Sequence, residues 1–247
     1  MDHKKLKIRG KIMFRNTIRG LDKLFKKDIK PPKIILVTGP PGAMKSSFVY
    51  ALISKYVENT GNFALFTTLE ETVESHLENM EALGIKLSMQ MQISDLTDLR
   101  DMDSLLGEEE KTNYIDFIER MILHLKKTQS GKFTVFALDS LGALYSLMDD
   151  VDNLRKKMYY FFQLLRENNL IAFVMMEKSL NGDSNLLGHE GFLVDGIINL
   201  GMERSTGKIV RFLQVEKMRA VAHSMEKHAL VVGVDGGIAV LGPVLSG

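Results

Sequence analysis

Four short runs of apolar residues punctuate the chain before residue 180: IILVT (34–38), FALFTT (63–68), FTVFALD (133–139) and LIAFVMM (170–176). None alternates strictly between apolar and polar, so each predicts a strand buried on both faces, as in a parallel sheet covered by helices. Between them the period changes. Ile115, Ile118, Met121, Ile122 and Leu125 recur at spacings of three and four, and so do Leu154, Met158, Phe161, Phe162 and Leu165. Each set predicts an amphipathic helix. Asp149, Asp150 and Asp152 stand at the start of the second, where the helix dipole favours anions. Strands alternating with helices predict an α/β fold with a mainly parallel twisted sheet flanked by helices.

After about residue 190 the pattern shifts to strand-like pieces separated by glycine-bearing turns: FLVDGIINLG, KIVRFLQVEKM, HALVVGV and GIAVLG. These predict additional C-terminal antiparallel strands extending the same sheet. The polar, acidic stretch 95–112 reads as a mobile surface excursion. With no Pro/Gly/Ser-rich linker and no internal repeat, we expect a single domain over 16–247, preceded by a basic arm at 1–15 with six Lys or Arg against one Asp.

Composition narrows the function classes. The 247 residues are 45% hydrophobic and 26% charged, proportions of a globular protein. A net charge of +1 creates no global field toward nucleic acid or an anionic membrane. The absence of cysteine excludes disulfides, thiolate metal sites and a cysteine nucleophile, and fits a reducing interior. No leader-like or membrane-spanning run is evident, so the expectation is a cytoplasmic protein without membrane contact.

Chemistry enters at VTGPPGAMKSS (37–47). The pattern G-x-x-x-x-G-K-[ST] between a strand and a helix cradles phosphates on backbone N–H groups at a helix N-terminus. Gly39, Lys45 and Ser46 fit it, and the loop formed by Gly39, Pro40, Pro41, Gly42, Ala43, Met44, Lys45, Ser46 and Ser47 is the expected nucleotide-binding segment. Met44 stands where the second glycine belongs. A bulky residue held at positive φ costs about 1–2 kcal/mol, less than the contacts a triphosphate can make. We therefore expect a variant loop that still binds, with Lys45 on the β- and γ-phosphates and Ser46 on Mg²⁺. Asp139 ends an apolar strand in the manner of a Walker B acid and is the second candidate for Mg²⁺. Glu70 and Glu71 follow the strand FALFTT and could orient and deprotonate an attacking water. Each fragment also has a plain structural reading: a helix-capping turn, a strand-end Asp, and acids loading a helix N-terminus.

Taken in order, the fragments resemble the KaiC-like branch of the RecA-type P-loop ATPases. The similar segments are NTIRGLDKLF, the phosphate loop, TTLEETVESHLENMEALGIKL, FALDSLGAL, GFLVDGIINL (with Glu190 and Asp195) and LQVEKMRAVAHSMEKHALVV. The resemblance implies a RecA-type core that binds ATP and ADP with Mg²⁺, hydrolyses ATP slowly, and assembles as a regulatory homo-oligomer, commonly a hexameric ring. It implies that Glu70 is the base and Glu71 its partner in positioning water. It further implies that Lys217 and Arg219 reach the γ-phosphate of the adjacent subunit, with His223 near the same boundary, and that Glu177 has a supporting role. Two other functions remain open: an ATP-sensing scaffold with little hydrolysis, and a recombinase-like ATPase on single-stranded DNA. The loop 178–191, with one Lys and no aromatic, disfavours nucleic acid without excluding it.

Overall fold

A computed structural model of the chain describes residues 14–97, 99, 112–148, 153–178, 191–205, 207–233 and 236–244. The predicted strands form as β1 (Lys33–Gly39), β2 (Phe63–Thr68), β4 (Phe133–Asp139) and β5 (Ile171–Glu177). The tail supplies β6 (Gly196–Ser205), β7 (Lys208–Met218), β8 (His228–Val232) and β9 (Ile238–Pro243). One strand was not expected. β3 (Met91–Asp95) joins the edge, so Asp95, grouped by polarity with the surface excursion, instead ends a strand. The rest of that excursion lies largely outside the described residues, as do Asp149, Asp150, Asp152 and most of 178–191.

Among the described residues nine strands make one sheet in the order β3-β2-β4-β5-β1-β6-β7-β8-β9. β6 pairs in parallel with β1, Ile35 opposite Gly196, so the antiparallel expectation for the tail holds only from β7 onward. The reason is topological. The chain re-enters at the same end of the sheet as β1, and only then do short turns reverse it.

Among the described residues the helices covering the sheet include α1 (Lys45–Thr60), α2 (Val73–Ala82), α3 (Tyr114–Thr128), α4 (Leu141–Ser146) and α5 (Leu154–Glu167). β1 shows how the two layers divide. Ile35 and Val37 turn toward the cluster containing Phe48, Val49 and Ile53 of α1, whereas Ile34 and Leu36 turn toward Ile118, Phe161 and Leu165 of α3 and α5. Successive side chains point to opposite faces, so a strand buried on both sides must be apolar throughout. Next to the expected boundary at residue 16, Phe14 is fully buried, its ring 3.8 Å from that of Tyr56, and Arg15 donates to the carbonyl of Lys26. Burying one such ring is worth about 1.5–3 kcal/mol, which ties the end of the expected arm to the core.

Candidate functional site

The C-terminal ends of β1, β2, β4 and β5 share one edge of the sheet, and four of the candidate elements gather there. β1 ends at Gly39, whose φ of 153° and close approach to β6 require glycine, because a Cβ would lie 2.0 Å from the Leu200 carbonyl oxygen. The loop then turns through Gly42 at φ 77° and Met44 at φ 70°, ψ 34°, into α1. Met44 thus adopts the left-handed conformation that explains why the pattern uses glycine here. Its half-buried side chain packs against the α1 side of the core.

Lys45, the first residue of α1, is almost fully buried, and its Nζ donates to the carbonyls of Gly39 (3.0 Å) and Pro40 (3.2 Å). Glu177, at the end of the neighbouring β5, stands 4.0 Å from the same nitrogen. The Ser46 side chain hydrogen-bonds Asp139, joining the loop to the end of β4. Asp139 is 4% exposed, and burial pushes its carboxyl up to about 6 despite the Ser46 hydrogen bond; the nearby Glu70 and Glu71 charges push the same way.

The two glutamates have different surroundings. Both backbone N–H groups are turned toward Thr68 Oγ1, at 3.3 and 3.4 Å. Glu70 is exposed, and its carboxylate accepts from Ser140 Oγ, the hydroxyl that also caps α4 by accepting from Ala143 N. Glu71 is half-buried: Oε1 lies 2.5 Å from His76 Nδ1 and Oε2 accepts from Asn79 at 3.1 Å, both on α2.

Lys217 and Arg219 are elsewhere. Lys217 Nζ donates to the carbonyls of Gly191 and Val194, both at 2.8 Å, and desolvation with the nearby Arg219 charge lowers its pKa. Arg219 lies 3.5 Å from Asp195 and donates to Phe192 O, while its own carbonyl accepts from Lys33 Nζ. Lys33 opens β1 and Gly39 closes it, so Arg219 and the phosphate loop sit at opposite ends of a strand about 20 Å long. Asp195 organises this second edge, accepting from Ile34 N (3.0 Å) and Arg166 (3.3 Å). His223 lies close by in sequence, its Nδ1 2.9 Å from Val221 O. Glu190 falls outside the described residues.

Three site residues escaped the sequence reading. Arg211 of β7 donates to Gly42 O at 2.9 Å and so grips the phosphate loop from the antiparallel part of the sheet. Asp95 accepts from Val73 N at 2.9 Å and fixes the start of α2 beneath the glutamates. His76 joins Glu71 from within α2. None belongs to a spaced motif. Only the helical position of His76 just beyond the acids gave any signal.

A glycine-bearing loop between β1 and α1, a buried acid ending the parallel strand β4 on the far side of β5, and antiparallel strands extending that sheet define a P-loop ATPase of the RecA type. Comparison with known proteins narrows the class. The chain belongs to the KaiC ATPase family, whose model, described as "ATPase: KaiC", matches residues 14–244. A UPF0273 protein of Methanopyrus kandleri is 27% identical over 227 residues, covering 89% of this chain and 88% of that protein. The circadian clock oscillator protein KaiC of Prochlorococcus marinus is 22% identical over 89% of this chain, which spans only 43% of that longer protein. The solved structure of a KaiC-like protein from Pyrococcus horikoshii superposes with a TM-score of 0.75 at 22% identity, covering 92% of this chain and 97% of its own. These matches support an ATP-binding RecA-superfamily function. Among the described residues no helix is long and apolar enough to cross a membrane.

Proposed function

We propose that the protein is a Mg²⁺-dependent ATPase of slow turnover that works as a cytoplasmic, ring-shaped regulatory homo-oligomer, with residues of one subunit completing the site of the next. The observation that carries this reading is the convergence of Lys45, Ser46, Asp139 and Glu70 on one edge of the sheet, with Asp139 buried beside two further carboxylates. Such a local excess of negative charge suits a divalent cation, and Ser46 with Asp139 are the residues that would hold Mg²⁺, Asp139 acting from the Ser46 hydrogen bond outward. When bound, Mg²⁺ supplies neutralisation of the phosphate charge.

The chain's own groups then have distinct tasks. Lys45 exchanges the Gly39 and Pro40 carbonyls for phosphate oxygens, a charge-assisted contact stronger than the one it leaves. The residues from Gly39 to Ser47 wrap the triphosphate, with Met44 turned to the core. Glu70, exposed and steadied by Ser140, accepts the proton of the attacking water. Lys217 and Arg219, about a strand's length from their own loop, serve the γ-phosphate of a neighbouring subunit. An ATP-sensing scaffold with little hydrolysis is the second reading, favoured by Met44 in a backbone conformation that glycine adopts more easily.

Titration with Mg-ATP, following phosphate release and oligomeric mass together, tests both. Nucleotide-dependent assembly with turnover supports the ATPase. Assembly and binding without turnover supports the scaffold, and no binding refutes both.

A further inference from the structure

We propose that His76 is a positioning residue which, together with Asn79, clamps the Glu71 carboxylate and leaves Glu70 as the acid free to serve the reacting water. This inference rests on the ATPase reading above. His76 and Asn79 are three residues apart on α2, so they share a face of the helix, and they take one oxygen of Glu71 each. A carboxylate held from both sides is oriented but unavailable. Glu70, whose carboxylate among the described residues accepts from Ser140 alone, is not held in this way.

The environment of His76 argues against plain packing. The ring is fully buried, with centroids 5.0 Å from Tyr50 and 4.8 Å from Phe66, which restricts its rotation. Its Nε2 is buried with no hydrogen-bond partner among the described residues, a cost that an apolar side chain filling the same space would avoid. With Nε2 unpaired, the contact to Glu71 through Nδ1 is the polar interaction that accounts for a histidine here. Nor is Glu71 needed to start the helix. Thr72 caps α2 by accepting from Ser75 N, and Asp95 accepts from Val73 N. The charged and titratable groups facing the ring are Glu71 from the turn, Tyr50 from α1 and Asp139 from β4.

The test compares His76→Leu, which keeps bulk but removes the donor, with His76→Asn, whose amide can stand where Nδ1 stood. The leucine variant should lose roughly ten- to a hundredfold in kcat, the scale of a misplaced catalytic group. Its KM for ATP should stay within about twofold, and the asparagine variant should recover most of the loss. Asn79→Ala, at an exposed position that leaves the fold intact, should lower kcat in the same sense by less. In a Glu71→Gln background the leucine substitution should add little, because the two act as one unit. Equal loss in the leucine and asparagine variants, or unchanged kcat in a folded leucine variant, overturns the proposal. If the wild-type protein turns over no ATP, it is the ATPase reading that fails. The clamp is then read by nitrogen-15 NMR of the imidazole: a slowly exchanging Nδ1 proton present in wild type and Glu70→Gln but lost in Glu71→Ala supports it, and absence from wild type or persistence in Glu71→Ala overturns it.

Discussion

The two ends of the sheet treat charge in opposite ways. At the phosphate-loop end, Asp139 is buried beside Glu70 and Glu71, and Lys45 is turned back onto the carbonyls of its own loop. At the Asp195 end, cations and acceptors are matched: Lys217 has two carbonyls, and Asp195 takes Arg166, Arg219 and the Ile34 amide. The first edge is an arrangement whose charges a cationic ligand would relieve. The second is already satisfied within the chain, so any service to a neighbour requires that Lys217 and Arg219 exchange these internal partners for phosphate oxygens.

The sharpest way to break this contrast is to mix two inactive proteins. Glu70→Gln removes the proposed base from the first edge and Arg219→Ala removes a cation from the second. Each alone should lose several orders of magnitude in rate, roughly 10³–10⁵ for a finger-type cation. In mixed rings some boundaries pair an intact Glu70 with an intact Arg219, so phosphate release should return once subunits exchange. If exchange is verified by mass and no activity appears, the second edge does not act across subunits.

Next in size is Lys45→Ala. Removing one charge-assisted phosphate contact should weaken ATP binding by about 1.5–3 kcal/mol, ten- to a hundredfold, measured by calorimetry. Unchanged affinity would mean that the first edge is not a phosphate site.

Asp139→Asn probes the unbalanced charge itself. The folded chain holds the Asp139 proton more tightly than the unfolded chain, about 6 against 3.8. The ionised form therefore opposes folding above about pH 6, by about 2–3 kcal/mol, and the penalty fades as pH falls toward the unfolded value. Without ligand the asparagine variant should be the more stable protein near pH 8, with little difference near pH 4, as read by urea unfolding. A variant less stable at both pH values would show that the carboxylate is well solvated or matched.

The smallest effect is expected from Met44→Gly. Relief of the left-handed backbone should favour the loop by about 1–2 kcal/mol, partly offset by the greater freedom of glycine in the unfolded chain. Nucleotide affinity or turnover should rise modestly. Weaker binding would show that the packing of Met44 on the α1 side of the core shapes the loop more than its strain does.

Much of this site is legible in the chain because its parts are local. The loop from Gly39 to Ser46 has strict spacing, Asp139 ends an apolar run, and Glu70 with Glu71 follows another. The missing pieces are those made by contacts distant in sequence. Arg211 reaches Gly42 across 169 positions, and Asp95 reaches Val73 only because β3 pairs beside β2. β3 itself was hidden because its side chains are only partly buried, so it lacks the continuous apolar run of the inner strands.

By itself the sequence determined the alternation of strand and helix, the family resemblance, and the left-handed demand on Met44, since period, motif spacing and backbone sterics act over a few residues. Tertiary structure decided the rest. It set β6 parallel to β1, parted Arg219 from its own phosphate loop by the length of a strand, and raised the Asp139 pKa by burying it among other acids. Pairing partners, distance and dielectric environment depend on which segments meet, and only the folded chain brings those segments together.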